Sequence, residues 1–316
     1  MKLLSLSAIT IATSLFSVNA VAADKALTVY GKANLSFQIE DSVESSTDLK
    51  SNSSRLGFKG EVELEGGLTA IYTAEFGVDF SDESKEQNIT SRNQWVGLKG
   101  DFGQVRLGRM DTALKLAQGK IDQFNGYSGD IKHVFSKRGE NRMSDTVTYI
   151  SPNFSGFTAG LTYITQEETD SAEADKAGVS AAVMYGDAKL KKSDFYAAVA
   201  IDQNVKGYDV IRLATQVKLG ALKLGAILQS QEQADVAGSS ADEGVVLSAA
   251  YSAGQLTYKA QVQTINQAAD QDAVSVGVDY KLGKNTKAFT WLTRESSDAA
   301  NAVDTKTLAF GIEHKF

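Results

Sequence analysis

The chain has 316 residues, with 32 Lys/Arg against 39 Asp/Glu, 27 glycines, one proline and no cysteine. An acidic chain offers phosphates no long-range attraction, so no nucleic-acid partner is expected, and the lack of cysteine excludes disulfide scaffolds and thiolate metal sites. In an oxidising compartment a chain of this length must then draw its stability from a large core or a closed sheet.

The first element in chain order is a leader. Lys2 is the only charge in residues 1–23, an apolar Ser/Ala/Thr-rich stretch runs from Leu3 to Val18, and Ala20-Val21-Ala22 or Val21-Ala22-Ala23 offers a small-residue cleavage site. This is the pattern of a secretory signal peptide, and it assigns residues 24–316 to the mature chain. Losing Lys2 leaves 31 basic against 39 acidic side chains, a net charge of −8. Beyond the leader no apolar run approaches the ~20 residues that a membrane-spanning helix requires.

The rest of the chain alternates. Leu27, Val29, Gly31, Ala33, Leu35, Phe37 and Ile39 share one face of a run whose other face is Thr28, Tyr30, Lys32, Asn34, Ser36 and Gln38. Period-2 alternation is a strand with one apolar and one wet face. The run is longer than a common soluble strand, at about 5–6 residues, and suits a tilted strand crossing a bilayer, at ~9–11. The pattern returns at Leu56–Leu64, Leu68–Phe80, Phe157–Tyr163, Ile211–Leu219, Leu256–Val262, Val274–Leu282 and Leu308–Phe316. Sixteen strands are expected, over 26–40, 52–64, 67–80, 89–100, 103–110, 144–151, 156–166, 177–190, 194–203, 208–219, 222–232, 243–252, 255–266, 272–282, 286–297 and 304–316. Tight Gly-rich links (Glu65-Gly66-Gly67, Asp101-Phe102-Gly103, Gly220-Ala221, Ser252-Ala253-Gly254, Gly283-Lys284-Asn285) alternate with longer polar ones near 41–51, 81–88, 167–176, 233–242, 267–271 and 298–303. Short turns on one side and long loops on the other belong to an all-β antiparallel transmembrane barrel. Closure is forced, because an open sheet edge in lipid would leave N–H and C=O groups unpaired.

Residues 111–143 do not fit a hairpin. Links longer than ~12–15 residues are uncommon and usually functional. The start of this one, from Asp111 to Ala117, suits a short helix capped by Asp111.

In this order and spacing, the chain resembles the general porins of Gram-negative bacteria, the sixteen-stranded trimeric pores. The pieces that carry the resemblance are Val29-Tyr30-Gly31-Lys32, the run Ser54 to Glu61, the run Ser91 to Arg109, the turn Ser151 to Gly156 and the terminal Phe316. The resemblance implies an outer-membrane homotrimer, in contact with membrane lipid and lipopolysaccharide, that passes ions and small hydrophilic solutes. It implies that 111–143 is the third external loop, folded into the lumen as a constriction. It also implies a basic cluster of Lys32, Arg55, Arg92 and Arg142 on the facing wall. Parity agrees for Lys32 and Arg55, which lie on polar faces; Arg92 shares its face with Val96 and Leu98, and Arg142 stands at a loop end. The loop lacks the Pro-Glu-Phe-Gly motif of enterobacterial members.

Asp111, Asp122 and Asp130 would face the basic cluster, since charges lining a narrow aqueous gap set ion selectivity through their field. The net charge of −8 and the acidic loops predict a mild cation preference. Tyr72, Phe80, Trp95, Phe157, Tyr163, Tyr280, Phe310 and Phe316 are expected in interfacial girdles. Tyr30 and Tyr196 fall on polar faces, too few for an aromatic slide. Gly31, Gly57, Gly60 and Gly97 either kink strands or, by the resemblance, serve a subunit contact. His133 and His314 have no metal-ligand spacing and no hydrolase motif is present, so the chain is expected to be no enzyme and to take no cofactor. Two alternatives remain open: a substrate-preferring pore for oligosaccharide or phosphate, and a plugged structural or adhesive barrel.

Overall fold

A computed structural model describes residues 26–81, 88–166, 176–236 and 238–316. The leader assigned to 1–23 lies outside them. The strands form a single antiparallel sheet that closes on itself. In chain order they are β1 (Thr28–Asp41), β2 (Ser45–Ser51), β3 (Arg55–Glu63), β4 (Thr69–Val78), β5 (Ile89–Gly100) and β6 (Gly103–Asp111). Two short helices follow, α1 (Ala113–Ala117) and α2 (Ile131–Val134). The sheet resumes with β7 (Arg142–Ile150), β8 (Phe157–Ile164), β9 (Gly178–Gly186), β10 (Phe195–Val205), β11 (Tyr208–Leu219) and β12 (Leu222–Gln233). It ends with β13 (Asp242–Ala253), β14 (Leu256–Asn266), β15 (Gln271–Lys281), β16 (Thr286–Ser297) and β17 (Thr305–Lys315).

β2 and β3 are two halves of one wall strand, since both pair with β1, so the barrel has sixteen staves. The expected strand at 52–64 therefore begins earlier: residues 45–51, a loop by composition, pair with β1 from Leu35↔Ser51 to Asp41↔Ser45. The break between the halves is a bulge. Ser53 adopts φ 54, and the Ser54 hydroxyl accepts from Asn34 N at 2.9 Å. One extra residue reverses the parity of the strand, so that both Lys50 and Arg55 share the face of Ser36 and Lys32, their partners on β1. β9 also stops short of the expected 190. The Asp187 carboxylate accepts from the backbone N–H of Lys189, Lys191 and Lys192, each at 2.9 Å, which turns the chain out of the sheet.

Burial is inverted relative to a soluble protein. Asn34, Ser36, Gln38, Thr148, Thr162 and Gln261 are buried, whereas Phe37, Leu213, Val276 and Phe310 are about half exposed. An apolar outside and a polar inside are stable only with lipid as the outer solvent. The barrel closes through β1 and β17, in register from Lys32↔Lys315 to Asp41↔Lys306. Gly31 N and Phe316 O then bond at 2.9 Å. The ring of Phe316 occupies the place a Cβ on Gly31 would need, and Tyr30 does the same at Gly57. These glycines make room for the chain's own aromatics. Of the expected girdle, Phe80, Phe157, Tyr163, Tyr280, Phe310 and Phe316 are exposed on the outer face. Trp95 is not part of it. It lies opposite Thr73 and Gly108 on the lumen face, with the Arg106 guanidinium 4.3 Å from its ring centroid. Its neighbours Val96 and Leu98 are the ones that face outward.

Candidate functional site: a constriction inside the barrel

The basic wall is built from four strands. Lys32 lies 3.5 Å from Glu313, Arg55 and Arg92 share Glu75 at 3.7 and 2.6 Å, and Arg142 reaches Asp111 at 2.9 Å. The parity conflict at Arg92 has a physical origin. The β4–β5 register shifts between Ala74 and Phe76, and this bulge lets Arg92 turn inward while Val96 and Leu98 remain outside. A second bulge, in the β6–β7 pair between Gly108 and Met110, precedes the pairing of Asp111 with Arg142. Asn93 ties the two strands together, accepting from Arg142 Nε at 2.8 Å and donating to Asp111 at 3.2 Å.

Opposite this wall the segment 112–141 folds into the lumen. α1 forms where expected, but its cap is Thr112, whose hydroxyl accepts from Lys115 N at 3.4 Å. Asp111 is still in the last pair of β6, and its carboxylate is committed to Arg142 and Lys115. The apolar side of the segment (Leu114, Ile121, Ile131, Val134, Phe135) is buried against Ala182, Ala198, Ala200, Val210, Ala214, Ile227 and Val246 on the inner wall. Small wall residues leave the space, and the burial of each large side chain contributes about 1.5–3 kcal/mol. The tip is pinned separately. Phe124 and Tyr127 pack with Phe289, Trp291 and Ala309, the Tyr127 ring lying 5.1 Å from Phe289 and 5.7 Å from Trp291. The amides of Gln261 and Gln263 donate to Gly129 O at 3.0 and 3.1 Å.

Between loop and wall lies a cavity of about 600 Å³, lined by Arg55, Arg92 and Arg142 on the wall side and by Asp111, Asp122 and Asp130 together with four loop lysines. Six of the seven residues singled out from sequence thus meet in one space, and Lys32 stands outside it. The aspartates do different work. Asp122 accepts from Phe124 N at 2.9 Å and from Gln261 Nε2 at 3.1 Å. Asp130 caps α2 through Lys132 N at 3.0 Å and takes Gly126 N at 2.7 Å. Both hold the loop's own shape. Two further acids escape the sequence pattern: Glu75, the shared partner of two arginines, and Glu140, paired with Arg212 at 2.7 Å. Glu75 has a usable signal, lying on the polar face of β4 with Thr73. Glu140 has none, because its partner is 72 residues away.

Burial, with Asp130 beside it, pushes the Asp122 carboxyl up to about 8. A folded pKa raised above the ordinary carboxylate value gives stability that is lost as pH rises through the folded value. The loop is therefore expected to be held most firmly at acid pH and to loosen progressively as pH rises toward about 8, read as rising current noise in single-channel recordings. Asp122→Asn should remove this pH dependence and keep the quiet acid-pH trace throughout; a pH dependence that survives the substitution would place its origin elsewhere.

The comparisons agree with this architecture. A family model described as Gram-negative porin matches residues 7–300. The major outer membrane protein P.IB of Neisseria meningitidis serogroup B is 28% identical over 306 residues, covering 87% of this chain and 86% of its own. The P.IB protein of Neisseria gonorrhoeae is 25% identical over 342 residues, covering 94% and 96%. Among solved structures, the anion-selective porin from Comamonas acidovorans superposes with a TM-score of 0.76 at 21% identity, covering 92% of this chain and 99% of that one. The outer-membrane expressed OmpT of Vibrio cholerae superposes with a TM-score of 0.71 at 14% identity, covering 94% and 99%. A closed sixteen-stave barrel with an apolar outside and a polar lumen, matched along nearly its whole length, belongs to the Gram-negative porin family of the bacterial outer membrane.

Proposed function

We propose that the chain forms a water-filled channel for passive diffusion of ions and small hydrophilic solutes, with a preference for anions set at the constriction. The observation that carries this reading is the lining of the cavity beside the loop, where nine Lys/Arg side chains meet four carboxylates. None of those four is free: Asp111 and Glu140 are ion-paired, and Asp122 and Asp130 accept backbone N–H groups. The net charge of −8 argues for cations. Charges on outer loops, however, are screened beyond about 8 Å at physiological salt, whereas those lining a narrow passage act on the solute directly. The wall arginines Arg55, Arg92 and Arg142 supply the field, with Lys32 outside the cavity, and Asp111, Asp122 and Asp130 shape the loop, Asp111 and Asp130 trimming that field. A structural neighbour described as anion-selective accords with this.

Residues 1–23 act as the export signal and 24–316 as the barrel. A neighbour described in trimer form supports a homotrimer, whose remaining apolar exterior would meet membrane lipid and lipopolysaccharide. Tyr30 and Tyr196 are engaged with Glu75 and Ala117 O, which disfavours a sugar slide. A planar-bilayer reversal potential in a KCl gradient tests the reading. Anion preference that weakens as salt rises is expected, and cation preference would reject the assignment of the field. A protein that neither conducts nor lets liposomes swell in small sugars would be a plugged barrel. Saturable block by one sugar or by phosphate would point to a substrate-preferring pore.

A further inference from the structure

The inner wall behind the loop holds the cation that pairs with Glu140. Arg212 projects inward from β11 between Ala200 and Gln229, its register partners on the adjacent strands, and its side chain is fully buried. Nε and Nη2 donate to Gln229 Oε1 at 2.7 and 2.5 Å, and Nη1 donates to Glu140 Oε1 at 2.7 Å. The loop is shaped around this guanidinium. The Phe135 ring centroid lies 5.8 Å from Cζ. Gly139, at φ 74, leaves the space that Nη2 fills, since a Cβ there would stand 2.6 Å away. Lys115 Nζ donates to the Glu140 carbonyl at 3.0 Å, so the last turn of the loop is held from both sides.

We propose that Arg212 is a selectivity-setting residue that never meets the solute: by pairing with Glu140 it keeps a carboxylate of the constriction loop out of the electrical count of the passage. The inference rests on the channel reading above. Glu140 belongs to the segment that lines the passage, yet its side chain is only 4% exposed. A buried carboxylate deprived of its paired cation and of water is unstable, and the nearest water is in the lumen. Without Arg212 the carboxylate turns toward that water and adds a negative charge two residues from Arg142. The other acid near Arg212, Asp202, is buried behind the loop and does not line the cavity.

The test is the reversal potential of four proteins in a KCl gradient at low salt: the unmodified channel, Arg212→Gln, Arg212→Lys and the double variant Arg212→Gln/Glu140→Gln. Arg212→Gln should lower the anion-to-cation permeability ratio by about two- to three-fold, the effect of one unit charge in a narrow aqueous gap. Arg212→Lys, which keeps the charge, should stay near the unmodified value, and the double variant should return to it. An unchanged ratio in Arg212→Gln overturns the proposal. So does a shift that the double variant fails to reverse, because the cause is then the lost cation or a collapsed loop. If Arg212→Gln does not assemble, Arg212→Met and Arg212→Met/Glu140→Gln replace that pair, with the same fall and the same recovery expected. Absence of conductance in the unmodified protein would instead remove the channel reading itself.

Discussion

Phe135→Ala is expected to convert a quiet channel into one with frequent excursions to larger conductance. Phe135 is a completely buried residue of the loop, within the apolar cluster that joins the loop to the inner wall. The wall is cut to receive it, for a Cβ on Gly244 would collide with its ring. Truncating a buried Phe costs ~3–5 kcal/mol. Here the loss falls on the docked loop, because the strand ladder that makes the barrel involves none of this side chain's contacts. At about 1.4 kcal/mol per factor of ten, the population of undocked loop rises by a factor between about 10² and a few thousand. Single-channel recording is the measurement, with far-UV circular dichroism as the control that the barrel is intact. A conductance and noise spectrum equal to those of the unmodified protein would mean that the tip contacts of Phe124 and Tyr127 suffice to hold the loop.

The second large effect is expected from the triple variant Arg55→Gln/Arg92→Gln/Arg142→Gln. The three guanidinium groups line the passage and balance Glu75 and Asp111, so their removal both subtracts cations and takes from Glu75 both of its arginines, while Asp111 keeps Lys115. For a solute ion ~8 Å away in screened water, each lost charge changes the energy by ~0.2 kcal/mol. Three such terms change the local anion concentration about three-fold and the cation concentration by as much in the opposite sense. The permeability ratio should fall about ten-fold and reach or pass unity at low salt. The reversal potential measures this directly. A ratio that stays anion-preferring would assign the field to the lysines on the loop and turns, with Lys115, Lys120, Lys132 and Lys137 as the next group to neutralise.

Much of the fold is legible in the residues, and the parts that are not share a cause. The stretch Leu27 to Ile39 declares its two faces because each face is chemically uniform, and β1 carries that alternation into the barrel unchanged. The segment Ser45 to Ser54 carries no such contrast. It is polar almost throughout, so neither its pairing with β1 nor its bulge has a periodic signature. Arg92 looks misplaced beside Val96 and Leu98 because parity assumes an unbroken strand, and the bulge at Ala74/Phe76 is a property of two strands together. Trp95 suits the girdle on its chemistry alone, whereas its alternation with the outward Val96 and Leu98 places it on the lumen face. Asp111 has the chemistry to cap α1; because the strand extends by one pair to meet Arg142, Thr112 takes that role.

Local pattern therefore determined that this chain is a closed barrel with a greasy outside, a wet inside and one long link that fits no hairpin, since strand periodicity and lipid solvation act residue by residue. Only the tertiary structure decided what the constriction presents to a solute. Which carboxylates are neutralised, which arginines turn inward and which side of the loop meets water depend on pairs such as Arg212 with Glu140. Such partners, distant in sequence, meet only when the barrel closes, and at these short separations Coulomb energies are set by geometry rather than by composition.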